Sequence, residues 1–513
     1  MEENPACCWT GEHLSEPPRR TSFLQHIPTT ADWRDVGQVT IDLVPDLALI
    51  EIFDFYMAEA LDYDPFRHNE EAWIILAHVC QKWRDVVFGS PFRLNVRLHF
   101  RAGKSVREML DTWPPLPINI WGDGGELKLH NMGNIVAALE HNDRIHKIEL
   151  SCALQSYVQE AFAAMQNSFP SLTELAIIFF NETANPIVPD LLLSGPVPRL
   201  RSLRFRSIQF PLPVLRNLLL TATDLVEIRI WRIPNPGLFS PEAVVACLST
   251  LTRLEVFELG FRIRCPPYLG TRLPPPSTRY VLPALTSLRF FGPRQYLEQF
   301  IAPINCPLLN NLDVIFNNQP EWDTSQLAQF VDRTPKLKAP HEARIFFDGP
   351  DIFISLPWTR RRGLHFRIIR MRSNRFSVVV QLCTSASFLR SLIPMIKHLY
   401  ILDSGMWSLH TLNNASSSQW LDLLRPFTAV EDLYLSKQFS THIVTALHGI
   451  IGEGMTEVLP SLQNIFLERI SPLDPDPVEE VIGQFAALQP PSSSIAVSQW
   501  DGVRDLWWHH EDR

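Results

Sequence analysis

The sequence predicts an α/β protein in which a small all-helical module precedes a helix-plus-strand solenoid, a curved parallel sheet backed by outer helices. Three observations carry this reading. A phrase of one apolar residue, two variable, one apolar, one variable and one apolar keeps returning, with first anchors at 145, 172, 200, 225, 254, 285 and 309. Successive copies are therefore 27, 28, 25, 29, 31 and 24 residues apart, the period of a solenoid coil. Before the repeats, two stretches carry apolar residues at helical spacing. Finally, 42 prolines against 21 glycines divide the 513 residues into many short elements. A chain of this length also exceeds the ~250 to 300 residues at which single cores stop growing.

Residues 1–38 hold Pro17, Pro18, Arg19, Arg20 and Pro28 without periodicity and are expected to form a flexible arm. In LVPDLALIEIFDFY, Leu49, Ile52, Phe53 and Tyr56 share a helical face, with Pro45 suited to the first turn and Asp46 beside the positive helix end. A polar stretch over 57–71 separates this helix from AWIILAHVCQKWRDVVFGSP. There Trp73, Leu76, Ala77, Cys80, Trp83 and Val87 predict one helix ended by Gly89 and Pro91. Residues 39–92 form the helical module in this reading, and 93–490 the solenoid. Its first coil is SVREMLDTWPPLPINIW, and segments such as SPEAVVACLST and DTSQLAQFVDRT are its outer helices. Prolines 170, 198, 283, 307, 335 and 460 stand just before repeated strands, where they stop a helix and fix extended backbone. The region between Val314 and Ile396 is degenerate. Later copies end at Ile401, Leu435 and Leu467, and residues 491–513 are read as a linker and tail.

Composition narrows the function. With 46% hydrophobic and 20% charged residues the chain can bury a large core, and its net charge of −9 gives no reason to expect a polyanion partner. Cys80, Cys152, Cys247, Cys265, Cys306 and Cys383 have no metal or redox spacing, and Cys7 and Cys8 are merely adjacent. Neither a leader pattern nor an apolar run of 18 residues occurs, so an intracellular, soluble protein in cytoplasm or nucleus is expected, with no membrane partner. No catalytic residue, cofactor or metal site is assigned. Gly122, Asp123, Gly124 and Gly125 lack the Lys and Ser or Thr of a phosphate loop and read as a turn. His509, His510 and Glu511 lack convergent metal spacing, and His78 beside Cys80 lies on a different helix face.

Two segments, VPDLALIEIFDF and HVCQKWRDVVFGSP, resemble an F-box, with the proline, the Ile-Phe pair and the Val-Cys-x-x-Trp-Arg run in the family's order. Val44 replaces the usual leucine before the proline, and residues 57–71 look like an insertion. The repeats resemble degenerate leucine-rich repeats from about 105 to 490, largely without the asparagine or cysteine that normally follows the strand. The pairing is similar to F-box proteins expanded in mushroom-forming (basidiomycete) fungi. The resemblance implies a substrate receptor of an SCF-type cullin-RING ubiquitin ligase. Such a receptor docks on the adaptor subunit, and through it on cullin, while its second domain holds a protein target. Carried over by position, the adaptor contacts are Pro45, Leu49, Ile52, Phe53, Val79, Cys80 and Trp83. Some of these could instead fill the module's own core. A ligase-independent interaction scaffold with a degenerate F-box is the alternative function.

Side chains alternate along a strand, so the residue between the last two anchors of each phrase faces away from the core. That column runs Glu149, Ala176, Arg204, Arg229, Glu258, Arg289, Asp313, Tyr400, Tyr434 and Phe466, with Arg206, Trp231 and Phe291 in the neighbouring one. Arg204, Arg229, Trp231, Arg289, Tyr400, Tyr434 and Phe466 are the target-binding candidates, because arginine and aromatics are enriched at interface hot spots. The plainer alternative is ordinary solvated strand residues. Residues 352–402 lack Asp and Glu yet carry Arg360, Arg361, Arg362, Arg367, Arg370, Arg372, Arg375, Arg390 and Lys397. A target with acidic or phosphorylated segments would suit them, a solvated basic edge is the other reading, and nucleic acid is not expected.

Overall fold

A computed structural model describes residues 41–62, 72–100, 105–122, 129–181, 185–235, 240–263, 279–317, 324–337, 340–348, 351–359, 362–369, 375–403, 416–436, 439, 443, 446, 458–468, 483 and 495–500. The chain divides into two compact units, Met1–Leu94 and Asn95–Arg513.

In the first unit, a 3-10 turn (Ile41–Leu43) leads into α1 (Asp46–Asp62), followed by α2 (Ala72–Val79) and α3 (Gln81–Gly89). Pro45 stands just before α1, where its missing N–H costs nothing and its carbonyl accepts from Ala48 and Leu49. The single helix expected over 72–90 is two. Cys80 between them is extended (φ −157°, ψ 172°), and its carbonyl accepts the Arg84 N–H to start α3. The Arg84 guanidinium donates to the Ala77 carbonyl at 3.0 Å, satisfying an end group of α2 that the break would leave bare. α1 also reaches six residues, 57–62, into the stretch read as a polar insertion. The core of this unit is Leu49, Ile50 and Phe53 of α1, Trp73, Leu76 and Ala77 of α2, and Val86 and Val87 of α3.

The second unit is a solenoid of alternating strands and helices. It begins with β1 (Leu98–Phe100), α4 (Val106–Thr112), β2 (Ile118–Gly122), α5 (Leu129–Leu139), β3 (Ile145–Cys152), α6 (Gln155–Ala164), β4 (Glu174–Phe179) and β5 (Ser202–Arg206). It continues with α7 (Leu212–Thr221), β6 (Glu227–Ile233), α8 (Pro241–Leu248), β7 (Val256–Phe261), β8 (Tyr280–Val281), β9 (Ser287–Gly292), α9 (Arg294–Ile301), β10 (Ile304–Asn305) and β11 (Asn311–Asn317). Then come α10 (Ser325–Arg333), β12 (Glu342–Asp348), β13 (Asp351–Thr359), β14 (Arg362–Ile369), α11 (Arg375–Ser385), α12 (Ser387–Arg390), β15 (His398–Asp403), α13 (Ser417–Leu424), β16 (Asp432–Leu435), β17 (Asn464–Glu468) and β18 (Ala496–Trp500). Sixteen of these strands form one sheet, while β8 and β10 pair separately.

Identical register from coil to coil lines up the core. Ile148, Leu175, Leu203, Ile228, Phe257, Leu288, Leu312 and Leu364 occupy one row across the sheet. Two residues on, Leu150, Ile177, Phe205, Ile230, Leu259, Phe290, Val314 and Phe366 form a second, and both rows are buried. Two helix starts are capped by side chains: Ser240 precedes Pro241 and accepts the Ala243 N–H, and Ser416 with Gln419 makes a reciprocal capping box on α13.

Two features depart from an all-parallel sheet ending at 490. The degenerate region is a meander in which the strand order reads β11, β14, β13, β12, β15. β13 runs antiparallel to both neighbours, while β14 and β12 are parallel to the flanking coils. Asp348 and Asp351 are partners in register across β12 and β13. The sheet also extends to β18, beyond the expected boundary. Because each inward side chain is shared between adjacent coils, Phe257→Ala is expected to cost about 3–5 kcal/mol, read as a lowered denaturation midpoint in urea.

Candidate functional site

Two surfaces follow from this fold, and each is built within one unit. On α1, Leu49 and Phe53 point inward, and Phe53 packs on Trp83 at a centroid distance of 4.8 Å. Leu49 and Phe53 are therefore core residues, which corrects their assignment as adaptor contacts. A helix turns about 100° per residue, so side chains three and four apart share a face. Ile52, Phe55 and Tyr56 share such a face and are exposed, as is Leu47 in the first turn. Pro45 and Val79 are also exposed, while Cys80 and Trp83 are half-buried. Leu43, Ile75 and Phe92 add exposed apolar side chains that sequence reasoning missed. For Leu47 and Phe55, which it also missed, the signal was available in α1, which is apolar nearly all round and so has more greasy surface than one core face can take. Lys82 fastens the start of α1, donating to the Val44 carbonyl at 2.6 Å with Asp46 3.8 Å away, and Arg93 pairs with Glu51.

The second surface is the sheet face opposite the core rows. Register places Glu149, Ala176, Arg204, Arg229, Glu258, Arg289 and Asp313 in one row, which the meander continues through His365, Ser355 and Arg344 to Tyr400, Tyr434 and Phe466. The three meander members escaped the sequence reading because the repeated phrase does not survive strand reversal.

The row has two chemistries. Over β5 to β11 it is an ion-pair lattice. Arg204 meets Glu227 at 2.9 Å, Arg229 contacts Glu227 and lies 3.7 Å from Glu258, and Arg289 pairs with Asp313 at 2.8 Å. Burial pushes the Glu227 carboxyl up, but Arg204, Arg229 and the Ser202 hydroxyl outweigh it and hold it below its ordinary range. Trp231 donates Nε1–H to Glu258 at 2.9 Å and carries the Arg289 guanidinium 4.7 Å from its ring centroid. Its ring covers Gly260, where a Cβ would come within 2.6 Å of Cε3, so glycine is required for that close approach. Arg229, Trp231 and Arg289 are thus engaged inside the sheet, and Arg204 is the most exposed of the arginine candidates.

Over β15 to β17 the row becomes a ladder of rings. Tyr400 and Tyr434 stack at 4.1 Å and 8°, Tyr434 and Phe466 at 4.4 Å and 9°, and Trp500 stands edge-on to both tyrosines. All four rings are half-buried.

In the basic run, Arg367 is paired with Asp351 at 2.7 Å and lies over Phe353, and Lys397 meets Glu431 at 2.7 Å. Arg362 and Arg390 are exposed. Arg360, Arg361, Arg370 and Arg372 lie outside the described residues, as do Asp123, Gly124, Gly125, His509, His510, Glu511, Cys7, Cys8 and Cys265. Among the described residues, no three His, Cys, Asp or Glu side chains converge on a metal position.

No family model matches the chain, and no curated protein matches it. Among solved structures, it is similar to the leucine-rich repeat-containing protein LegL7 from Legionella pneumophila, at 12% identity and a TM-score of 0.27, over 77% of this chain and 99% of that one. Overlap that loose carries no functional argument. The architecture rests on the strand and helix order itself: the second unit is an α/β solenoid of leucine-rich-repeat type.

His365 provides a check on the meander. It bonds Ser355 Oγ through Nδ1 at 2.8 Å, and burial, aided by the Arg344 charge, pushes its pKa down to about 4. The unfolded chain, with an ordinary imidazole near 6.5, binds this proton more readily. Stability is therefore full above pH 6.5 and falls as pH drops toward 4. His365→Asn should flatten that part of the pH–stability profile, measured by thermal melts from pH 7 to pH 4.5.

Proposed function

We propose that this chain recruits proteins to an SCF-type cullin-RING ubiquitin ligase, with the helical unit docking on the adaptor subunit and the sheet face of the solenoid holding the target. One observation carries the reading. Of the nineteen exposed large hydrophobic side chains among the described residues, nine lie between Ile41 and Phe92, in a unit holding less than a fifth of the chain. Apolar surface at that density marks a partner site, and an exposed apolar helix face suits helix-in-groove docking. The resemblance of VPDLALIEIFDF and HVCQKWRDVVFGSP to an F-box supplies the partner's identity.

The contact set that this reading favours is Pro45, Ile52 and Val79 from the family comparison, joined by Leu47 and Phe55, with Cys80 and Trp83 at the margin. The chain itself makes no bond in this role; its contribution is to hold two proteins at once. The solenoid suits the second task because its outward row varies freely while the inward rows are fixed by stacking.

The test is co-purification of the full chain with the recombinant adaptor subunit. Ile52→Asp combined with Phe55→Asp should weaken adaptor binding at least about tenfold, the effect of losing buried interface anchors, without lowering the solenoid's melting temperature. Leu49→Ala should instead destabilise the helical unit by about 2–5 kcal/mol. Failure of the unmutated chain to bind the adaptor overturns the ligase reading in favour of a ligase-independent scaffold.

A further inference from the structure

The two halves of the sheet differ in charge. Strands β3 to β7, β9 and β11 carry Lys147, Arg204, Arg206, Arg229, Arg232 and Arg289 against Glu149, Glu174, Glu227, Glu258 and Asp313, a near balance. Strands β12 and β15 to β18 carry Glu342, Asp348, Asp403, Asp432 and Glu468 against Arg344 alone. The aromatic ladder therefore sits where acid is in excess.

The ladder has two ends, and they are not alike. At the β12 end the chain's own cation closes it: the Arg344 guanidinium lies 5.5 Å from the Tyr400 centroid, and Arg344 is held by Glu342. Ring faces carry negative quadrupole charge, so a guanidinium is favourable there. At the other end the next residue in register is Ser498, small and exposed, beside Phe466. Since Phe466 is parallel to Tyr434 on one side, its second face looks toward Ser498, and among the described residues no ring or cation lies over it. Glu468, two residues along the same strand and so on the same sheet face, is paired in register with Trp500. Trp500 Nε1 has no acceptor among the described residues. Burial, with Asp403 adding like charge, raises the Glu468 pKa, so a nearby cation would relieve this carboxylate.

We propose that the open end of the Tyr400–Tyr434–Phe466 ladder, with the Glu468 carboxylate beside it, receives a lysine or arginine side chain from a basic segment of the recruited protein, as Arg344 occupies the opposite end. This rests on the reading of the sheet face as the target surface and specifies its ligand chemistry. It also differs from an acidic or phosphorylated target, for which Arg367 and Lys397 of the basic run are already paired with carboxylates while Arg362 and Arg390 stay exposed.

Fluorescence anisotropy of the full chain with labelled acetyl-(Lys-Gly)4-amide tests the proposal, with (Glu-Gly)4 as comparator. The basic peptide should bind at least tenfold tighter than the acidic one. Phe466→Ala and Glu468→Gln should each weaken it about fivefold, the order of one cation–π or charge contact, and Arg253→Ala, outside the strands and paired with Asp224, should leave it unchanged. Glu468→Gln removes a carboxylate that folding disfavours, so its loss of binding is not a loss of fold. Ser498→Arg should fill the open end from within and abolish peptide binding at unchanged melting temperature. No binding of the basic peptide, equal binding of the acidic one, or unaltered affinity in Glu468→Gln and Ser498→Arg overturns the proposal. Adaptor co-purification is measured on the same samples: retained adaptor binding with no peptide binding sinks this inference alone, and the reverse result sinks the ligase reading alone.

Discussion

No coil of the solenoid can bury the inward face of its own strand, so each depends on the next coil being stacked in the same register. Leu175, Leu203, Ile228, Phe257 and Leu288 illustrate the consequence: they come from segments 25 to 31 residues apart and meet as one buried row. A one-residue slip would exchange the apolar and polar faces of a strand, which makes that register strongly specified. The ladder of backbone bonds follows from it, with Arg201, Val226, Glu255, Thr286 and Asn310 each donating back to the preceding coil just ahead of its strand.

The same constraint frees the opposite face. With the core rows fixed, the outward row can change chemistry along the sheet, and it does: an ion-pair lattice around Glu227, Arg229, Glu258 and Arg289 gives way to stacked rings at Tyr400, Tyr434 and Phe466. The meander stands between the two. Its core positions, Ile345, Ile354 and Phe366 among them, keep the alternation of a normal coil, so reversing β13 leaves the interior continuous while moving new side chains into the outward row.

Much of this was legible in the sequence because it obeys short-range periodicity. Every residue named from the position between the last two anchors lies in one register row, since strand alternation leaves it no other direction, whereas Phe291 of the neighbouring column is buried. Three things were hidden. The break at Cys80 was masked by apolar spacing that runs unbroken through Ala77, Cys80 and Trp83. The meander was hidden because antiparallel pairing obeys no coil period. The division of the α1 apolar residues between core and surface depended on where α2 and α3 pack, which places Leu49 and Phe53 inside while Ile52, three residues from the first and adjacent to the second, stays exposed. Pairing was also invisible: arginines that look like ligand donors in a column of letters turn out to have carboxylate neighbours one strand away.

On the proposed reading, the greasy side chains that the helical unit leaves in water are the ones the adaptor subunit covers. Hydrogen–deuterium exchange of the full chain, alone and with the adaptor subunit, tests this most directly. The account predicts slowed exchange confined to residues 43–56 and 75–83, with the solenoid strands unchanged. Exchange unaltered across the helical unit, or protection confined to the solenoid, would contradict it.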